Sequence, residues 1–298
     1  MGRNSIGFQF KRYLEVVIKP IFEIKNLKCS YQTSKRPVLE IDSLAIEKNS
    51  MVFFIGASGS GKSTILESLG LMNNTVVNDP KSKFTLNLTD KSVNLLDVWK
   101  SAKTRTELRN QLFSFIFQSN NLFDSMSGYQ NIMSGALING VDEITLLNKT
   151  NQIVKRLLSD LNKDDFDDFN IKKMSGGQRQ RVAFARAIIA EKEILFADEP
   201  TGNLDWFNAR EMMNFIKETL DENKGTAIIV THDIELAMEY ATKIVVVDKK
   251  LDKSNNESTY YGKISSDCIY KKDGKLWNNQ NKNKTNKDVL VELKDKFL

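Results

Sequence analysis

The chain has 298 residues, 41% of them hydrophobic, and a formal charge of +5, which is enough apolar content for one large core or two small ones. No apolar run reaches the roughly 18 to 20 residues that a bilayer crossing needs, and the first ten residues lack an apolar segment followed by a small-residue cleavage site. Cys29 and Cys268 lie far apart with no metal spacing and read as thiols of a reducing compartment, so the expectation is a cytoplasmic protein.

The charge sits at the ends: residues 249–298 carry +5 and residues 1–20 carry +3, leaving −3 on the body between. That distribution speaks against a basic groove through the body, and no nucleic-acid partner is expected.

In chain order, Phe8–Ile18 reads as an extra strand or a flexible leader, with a membrane-surface helix as the alternative. Ile21–Leu27 and Val38–Ile46 alternate apolar and polar residues, the pattern of strands with one covered face. Met51–Ile55 is a continuous apolar run and predicts a strand buried on both faces. Ile65, Leu66 and Leu69 then suit a helix. Residues 73–110 are polar and give little beyond a helix near Lys103–Gln111, after which Ser114–Phe117 reads as another buried strand. Between Asn121 and Lys173 the apolar spacing turns helical, and an acidic cluster runs from Asp164 to Asp168. From Met174 onward helices alternate with apolar strands at Ile194–Ala197, Thr226–Val230 and Ile244–Val247. That alternation implies parallel strands with crossover helices. Past Asp248, Lys253–Ser258 and Asn278–Asn286 are poor in apolar residues and read as loop or disordered, the last of them as a solvated tail. Thr259–Ile264 and Asp267–Trp277 between them look like short strands.

Three segments carry chemistry. Gly56-Ala57-Ser58-Gly59-Ser60-Gly61-Lys62-Ser63-Thr64 fits a phosphate-binding loop placed after a strand and before a helix. Its glycines let successive N–H groups point inward, and the helix start adds positive potential. Lys62 supplies a charge to the β- and γ-phosphates, and Ser63 an oxygen to Mg²⁺. Asp198 and Glu199 end an apolar strand; the first suits a Mg²⁺ site and the second can polarise an attacking water. His232, the one histidine of the chain, closes the apolar run Ile228–Val230.

The third segment, Met174-Ser175-Gly176-Gly177-Gln178-Arg-Gln-Arg-Val-Ala-Phe-Ala-Arg-Ala-Ile188, resembles the signature sequence of ATP-binding cassette (ABC) ATPases. Physically, Ser175, Gly176 and Gly177 can form a second anion site at the start of a helix. The resemblance implies an α/β fold: a phosphate-loop NTPase core with a mainly parallel sheet, an N-terminal antiparallel β subdomain and an inserted α-helical subdomain at about 119–178. The nucleotide-binding domain would cover residues 21–248, with 1–20 and 249–298 as extensions, the second partly disordered.

It further implies ATP as substrate with Mg²⁺, held through Ser63, Gln118 and Asp198. Tyr31 stands where the family has an aromatic that stacks on adenine. Gln118 matches the glutamine that senses Mg²⁺ and contacts the membrane partner. Asp205 ends a loop that crosses the dimer interface, and His232 falls where a switch histidine meets the γ-phosphate. Catalysis would fall to Glu199, His232 and Lys62. Ala197–Asp205 is similar to the branch of lipoprotein-release, macrolide-efflux and cell-division ATPases. The implied partners are a second ATPase subunit, as a homodimer, and a membrane permease docking near Gln118 on the inner face of the cell membrane. The alternative is a soluble ABC-type ATPase of DNA or chromosome maintenance; the heptad segments or zinc modules of those proteins are missing here. One departure is notable: Asp248-Lys-Lys replaces the Asp-Gly turn expected after the last core strand.

Overall fold

Two hydrophobic patterns build two sheets. The computed structural model describes residues 19–31, 36–137, 141–158, 171–252 and 259–297. The expectations for Phe8–Ile18, for the acidic cluster Asp164–Asp168 and for Lys253–Ser258 lie outside the described residues.

The alternating segments become β1 (Phe22–Cys29) and β2 (Leu39–Ile46), which pair antiparallel from Phe22 opposite Ile46 to Cys29 opposite Leu39. Their buried positions are the apolar members of the alternation, as period two requires. The next strand, β3 (Met51–Ile55), is buried at every residue. It runs through the phosphate loop into α1 (Lys62–Leu69).

The polar stretch after α1 resolves into β4 (Lys83–Asn87), β5 (Ser92–Asn94), a short α2 (Leu95–Val98) and α3 (Ala102–Leu112). Phe84 and Leu86 of β4 are fully buried against β1, two anchors too sparse to give a legible period. Helix α3 has no buried residue and starts at Ser101, whose hydroxyl accepts from Thr104 N.

Then come β6 (Phe113–Ile116), α4 (Gly128–Leu137) and α5 (Glu143–Leu157). The signature run forms α6 (Gly176–Ile188), followed by β7 (Ile194–Asp198), α7 (Trp206–Asn223), β8 (Thr226–Val230), α8 (Ile234–Tyr240) and β9 (Lys243–Val246). Strands β9, β3, β8, β7 and β6 lie side by side in that order, all parallel. With helices on their faces, such strands need apolar residues on both sides, which is why they read as runs and not alternations. Phe22 of the antiparallel sheet meets Phe196 of β7 edge-on at 6.5 Å, and Phe113 meets the same ring at 5.1 Å, so an aromatic cluster joins the two sheets. Helix α4 lies close on α6: a Cβ on Gly135 would fall 2.1 Å from the Arg186 carbonyl oxygen.

The end of the chain corrects the expectation of loop or disorder. β10 (Asp248–Asp252) and β11 (Thr259–Ile264) form a hairpin that adds to β2. β12 (Ile269–Asp273), β13 (Leu276–Asn279) and β14 (Lys282–Lys284) extend the central sheet beyond β9. α9 (Asn286–Phe297) follows and touches α8. The Asn278–Asn286 run is therefore a hairpin and a helix start. Its polar residues are satisfied by the fold: Asn279 Nδ2 donates to the Asp267 and Ile269 carbonyls, and Asn286 Oδ1 accepts from Trp277 Nε1 at 2.8 Å. Few apolar residues suffice because Trp277, Val289 and Leu293 are each completely buried. Trp277→Ala should therefore cost about 3–5 kcal/mol, and removal of residues 278–298 should also lower the urea midpoint. A midpoint equal to the parent's in either variant would show that this end packs without contributing.

Candidate active site

The parallel register sets the site. Phe54 of β3 pairs with Val230 of β8, and Asp198 of β7 pairs with that same Val230, so three strands finish at one edge of the sheet. Whatever follows each strand must meet there.

After β3 comes the phosphate loop. Gly59 and Gly61 sit at φ +71° and +97°, left-handed values that a side chain would strain. Gly56 is required for closeness instead, since a Cβ would lie 2.6 Å from the Val247 carbonyl oxygen. Helix α1 starts from Gly61 with no side-chain cap and no acidic residue in its first turn. Its opening N–H groups therefore remain free to receive an anion. Lys62 Nζ folds back and donates to the carbonyls of Gly56 and Ala57 at 2.8 and 3.0 Å. Half-burial pushes its pKa down, opposed by the nearby Glu199 and Asp198. An incoming phosphate would reverse that shift by giving the ammonium a close counter-charge. Ser60 is fully buried, and its hydroxyl has no hydrogen-bond partner among the described residues.

After β7 come the two carboxylates. Asp198 Oδ2 accepts from Ser63 Oγ at 3.3 Å. Desolvation, then repulsion from Glu199, raises the Asp198 pKa. Glu199 adopts φ +48°, which turns the chain sharply at the strand end, and its amide donates to the Val230 carbonyl at 2.9 Å. After β8, His232 Nδ1 donates to Glu199 Oε2 at 2.9 Å. The imidazole is 75% exposed, against 14% for the glutamate side chain, so this histidine is held by the glutamate and not packed in a core.

Tyr31, Ser58, Gly59, Gly61, Lys62, Ser63, Thr64, Gln118, Asp198 and Glu199 line one cavity of about 400 Å³, together with Val38, Val230 and Tyr260. Gly56, Ala57, Ser60 and His232 do not line it, nor do Ser175, Gly176, Gly177, Gln178 and Asp205. Ser175 and Gln178 instead form a reciprocal cap at the start of α6: Ser175 Oγ accepts from Gln178 N at 3.2 Å, and Gln178 Oε1 accepts from Ser175 N at 2.9 Å. A Cβ built on Gly176 would meet nothing within 4 Å among the described residues. Asp205 caps α7 by accepting from the amides of Phe207 and Asn208, both at 3.0 Å, and the Asn208 bonds lead in holding its pKa low.

Three positions escaped the sequence reading. Gln180, 1% exposed, donates to the Glu199 and Pro200 carbonyls and accepts from Asn203 N, fixing the turn after the carboxylates. Arg186 donates to the carbonyls of Asn120 and Asn121 at 2.8 and 2.7 Å, joining α6 to the loop after Gln118. Asn131, wholly buried, donates to the carbonyls of Phe123, Met126 and Ser127 and accepts from Phe123 N. Their only signal was a polar residue on an otherwise apolar helix face.

Residues 39–202 match the family described as ABC transporter. The chain belongs to the ABC transporter ATPase family. It is similar to the lipoprotein-releasing system ATP-binding protein LolD of Wigglesworthia glossinidia brevipalpis, 32% identical over 237 residues that cover 79% of this chain and 97% of that one. It is also 32% identical to the macrolide export ATP-binding/permease protein MacB of Escherichia coli K12, over 78% of this chain and 34% of that longer protein. The dimeric structure of MJ0796, a bacterial ABC transporter cassette, superposes with a TM-score of 0.64 at 26% identity, covering 76% of this chain and 93% of that one. The cbiO1 structure from Clostridium perfringens covers 93% of both chains with a TM-score of 0.65 at 22% identity, a likeness of fold that takes in the C-terminal elements as well. The ABC ATPase subunit is thus a phosphate-loop NTPase with an antiparallel β subdomain, and it hydrolyses ATP.

Loss of the Lys62 ammonium removes a charge-assisted contact to phosphate. Lys62→Ala should weaken ATP binding by about 10- to 100-fold in a direct titration, and unchanged affinity would remove Lys62 from the phosphate site.

Proposed function

We propose that the ABC ATPase subunit works as a homodimer in which each ATP is held between the phosphate loop of one copy and the Ser175–Gln178 helix start of the other. The observation that carries this reading is the separation of the two anion sites within one chain: α1 opens uncapped into the cavity, while α6 opens at Gly176 into empty space. A single chain thus offers two half-sites, and a second copy completes both. The dimeric MJ0796 cassettes, one bound to ADP and Pi, support a working pair.

In this reading the backbone amides of Gly59–Ser63 and Lys62 bind the β- and γ-phosphates, and Tyr31 packs on adenine. Glu199 orients and deprotonates the attacking water, with its carboxylate held in place by His232. Cleavage of the bond between the γ-phosphorus and the bridging oxygen yields ADP and phosphate, and the proton of the water passes to Glu199. The donors at the base of the cavity suit Mg²⁺: the Ser63 hydroxyl and Asp198 carboxylate are hard oxygens 3.3 Å apart, and Gln118 adds an amide oxygen. Mg²⁺, when bound, would neutralise charge on the β- and γ-phosphates. ATP favours closure because its contacts to the second copy exist only in the closed dimer.

The driven machine is a membrane permease that docks beside Gln118. A second cavity of about 340 Å³ lies there, lined by Phe113, Phe115, Phe117, Phe123 and Ala187 with Arg186 and Lys192. Phe123 is 51% exposed on its edge. Apolar rings with flanking cations fit an amphipathic segment of a partner. Among the described residues no helix is long and apolar enough to cross a membrane, so attachment to the inner face of the membrane would come through that partner. The similarity to LolD and MacB favours the lipoprotein-release and macrolide-efflux branch over a DNA-maintenance ATPase.

Glu199→Gln should bind ATP while hydrolysis falls by about 10²- to 10⁴-fold, and an ATP-dependent dimer should accumulate on size-exclusion chromatography. Hydrolysis at the parental rate would remove Glu199 from catalysis, and a monomer at saturating ATP would overturn the sandwich. Phe123→Asp should cut recovery of the membrane partner in a detergent pull-down by about tenfold, as expected for a charge in an apolar dock; equal recovery would move the docking site elsewhere.

A further inference from the structure

Beyond Val247 the chain forms β10 and β11, an antiparallel hairpin whose second strand pairs with β2. That hairpin is pressed onto the phosphate loop. Gly262 lies so close that a Cβ would fall 2.0 Å from the Ser60 carbonyl oxygen, and its amide donates to the Val38 carbonyl at 2.9 Å. Backbone contact of this kind fixes where the neighbouring side chains project.

One of them, Tyr260, lines the cavity beside the phosphate loop, and another, Lys249, touches that loop. Lys249 Nζ donates to the Ser58 carbonyl at 3.2 Å and lies 4.7 Å from the centre of the Tyr260 ring. Tyr260 lines the same cavity as Tyr31 and Lys62. It remains 60% exposed, compared with 47% for Tyr31, so it has no core to fill. An exposed aromatic held by a cation at the mouth of a nucleotide pocket presents a π-face suited to a base.

We propose that Tyr260 is a second aromatic wall of the pocket that contacts the adenine of ATP, and that Lys249 is the positioning residue that holds its ring. This rests on the assignment of the cavity as the ATP site. Titrating the purified full chain with ATP and, separately, with inorganic tripolyphosphate separates a base contact from a phosphate contact. Tyr260→Ala should weaken ATP about 5- to 100-fold, the range of aromatic–base stacking, and leave tripolyphosphate within about twofold of the parent. Tyr260→Phe, which keeps the ring, should restore ATP affinity. Lys249→Ala should weaken ATP in the parent and add nothing in the Tyr260→Ala background, because its effect runs through the ring.

Unchanged ATP affinity in Tyr260→Ala overturns the proposal. So does an equal loss for both ligands, which would mean that the ring shapes the phosphate loop and does not meet the base. Additive losses in the double variant overturn the positioning role of Lys249. The Lys62→Ala titration tests the cavity itself: loss of both ligands there, with Tyr260→Ala at parental affinity, would leave the ATP site standing and remove only the tyrosine.

Discussion

The hydrogen-bonded register of β3, β8 and β7 is the constraint on which the site depends. Parallel strands with offset ends would spread Lys62, Asp198 and His232 along the sheet. Here Val230 pairs with both Phe54 and Asp198, and the Glu199 amide adds one more bond to the Val230 carbonyl. The three turns that follow are thereby stacked at one edge, so Ser63 meets Asp198 and His232 meets Glu199. Five or so residues per strand fix this alignment, because all their side chains but Asp198 are buried and cannot slip by one position without exposing their neighbours.

The two helix starts divide the electrostatic work. Helix α1 follows a left-handed glycine and keeps its amides open, whereas α6 follows Ser175, whose hydroxyl takes the Gln178 amide of the first turn. The first is built to receive charge within the chain. The second is rigid and outward-facing, with Gly176 bare. The same helix reaches back through Gln180 to the turn after Glu199 and through Arg186 to the loop after Gln118. One helix thus links the Ser175–Gln178 cap, the carboxylate turn and the edge of the aromatic cavity. In the function proposed above, that connection would carry closure of the dimer to a partner at Phe123.

Much of the site was legible because its chemistry is local. Glycines at fixed offsets before Lys62, a Ser-Gly-Gly helix start and an acidic pair at the end of an apolar run each declare themselves within a dozen residues. The helical stretch after Asn121 was legible from periodicity. The polar stretch over 73–110 was not, since β4 is held by Phe84 and Leu86 alone and α3 buries nothing. The C-terminal region misled for the same reason. Its asparagines and lysines resemble a solvated tail, yet the Asn279 and Asn286 side chains bond to backbone and indole partners while Tyr270, Trp277, Val289 and Leu293 fill core positions.

The sequence by itself determined the class of chemistry: backbone conformation at glycines, strand burial and the helix starts are short-range properties, and they specify phosphate binding and hydrolysis without reference to the rest of the chain. Only the tertiary structure decided which groups share a cavity. It separated Ser175–Gln178 from the phosphate loop, joined His232 to Glu199, and carried Tyr260 to the pocket and Lys249 to the phosphate loop. Those contacts span up to about two hundred positions and are set by sheet register and by the close approach of Gly262 to Ser60. No local pattern encodes such distances, because they are fixed only when the strands between them pair.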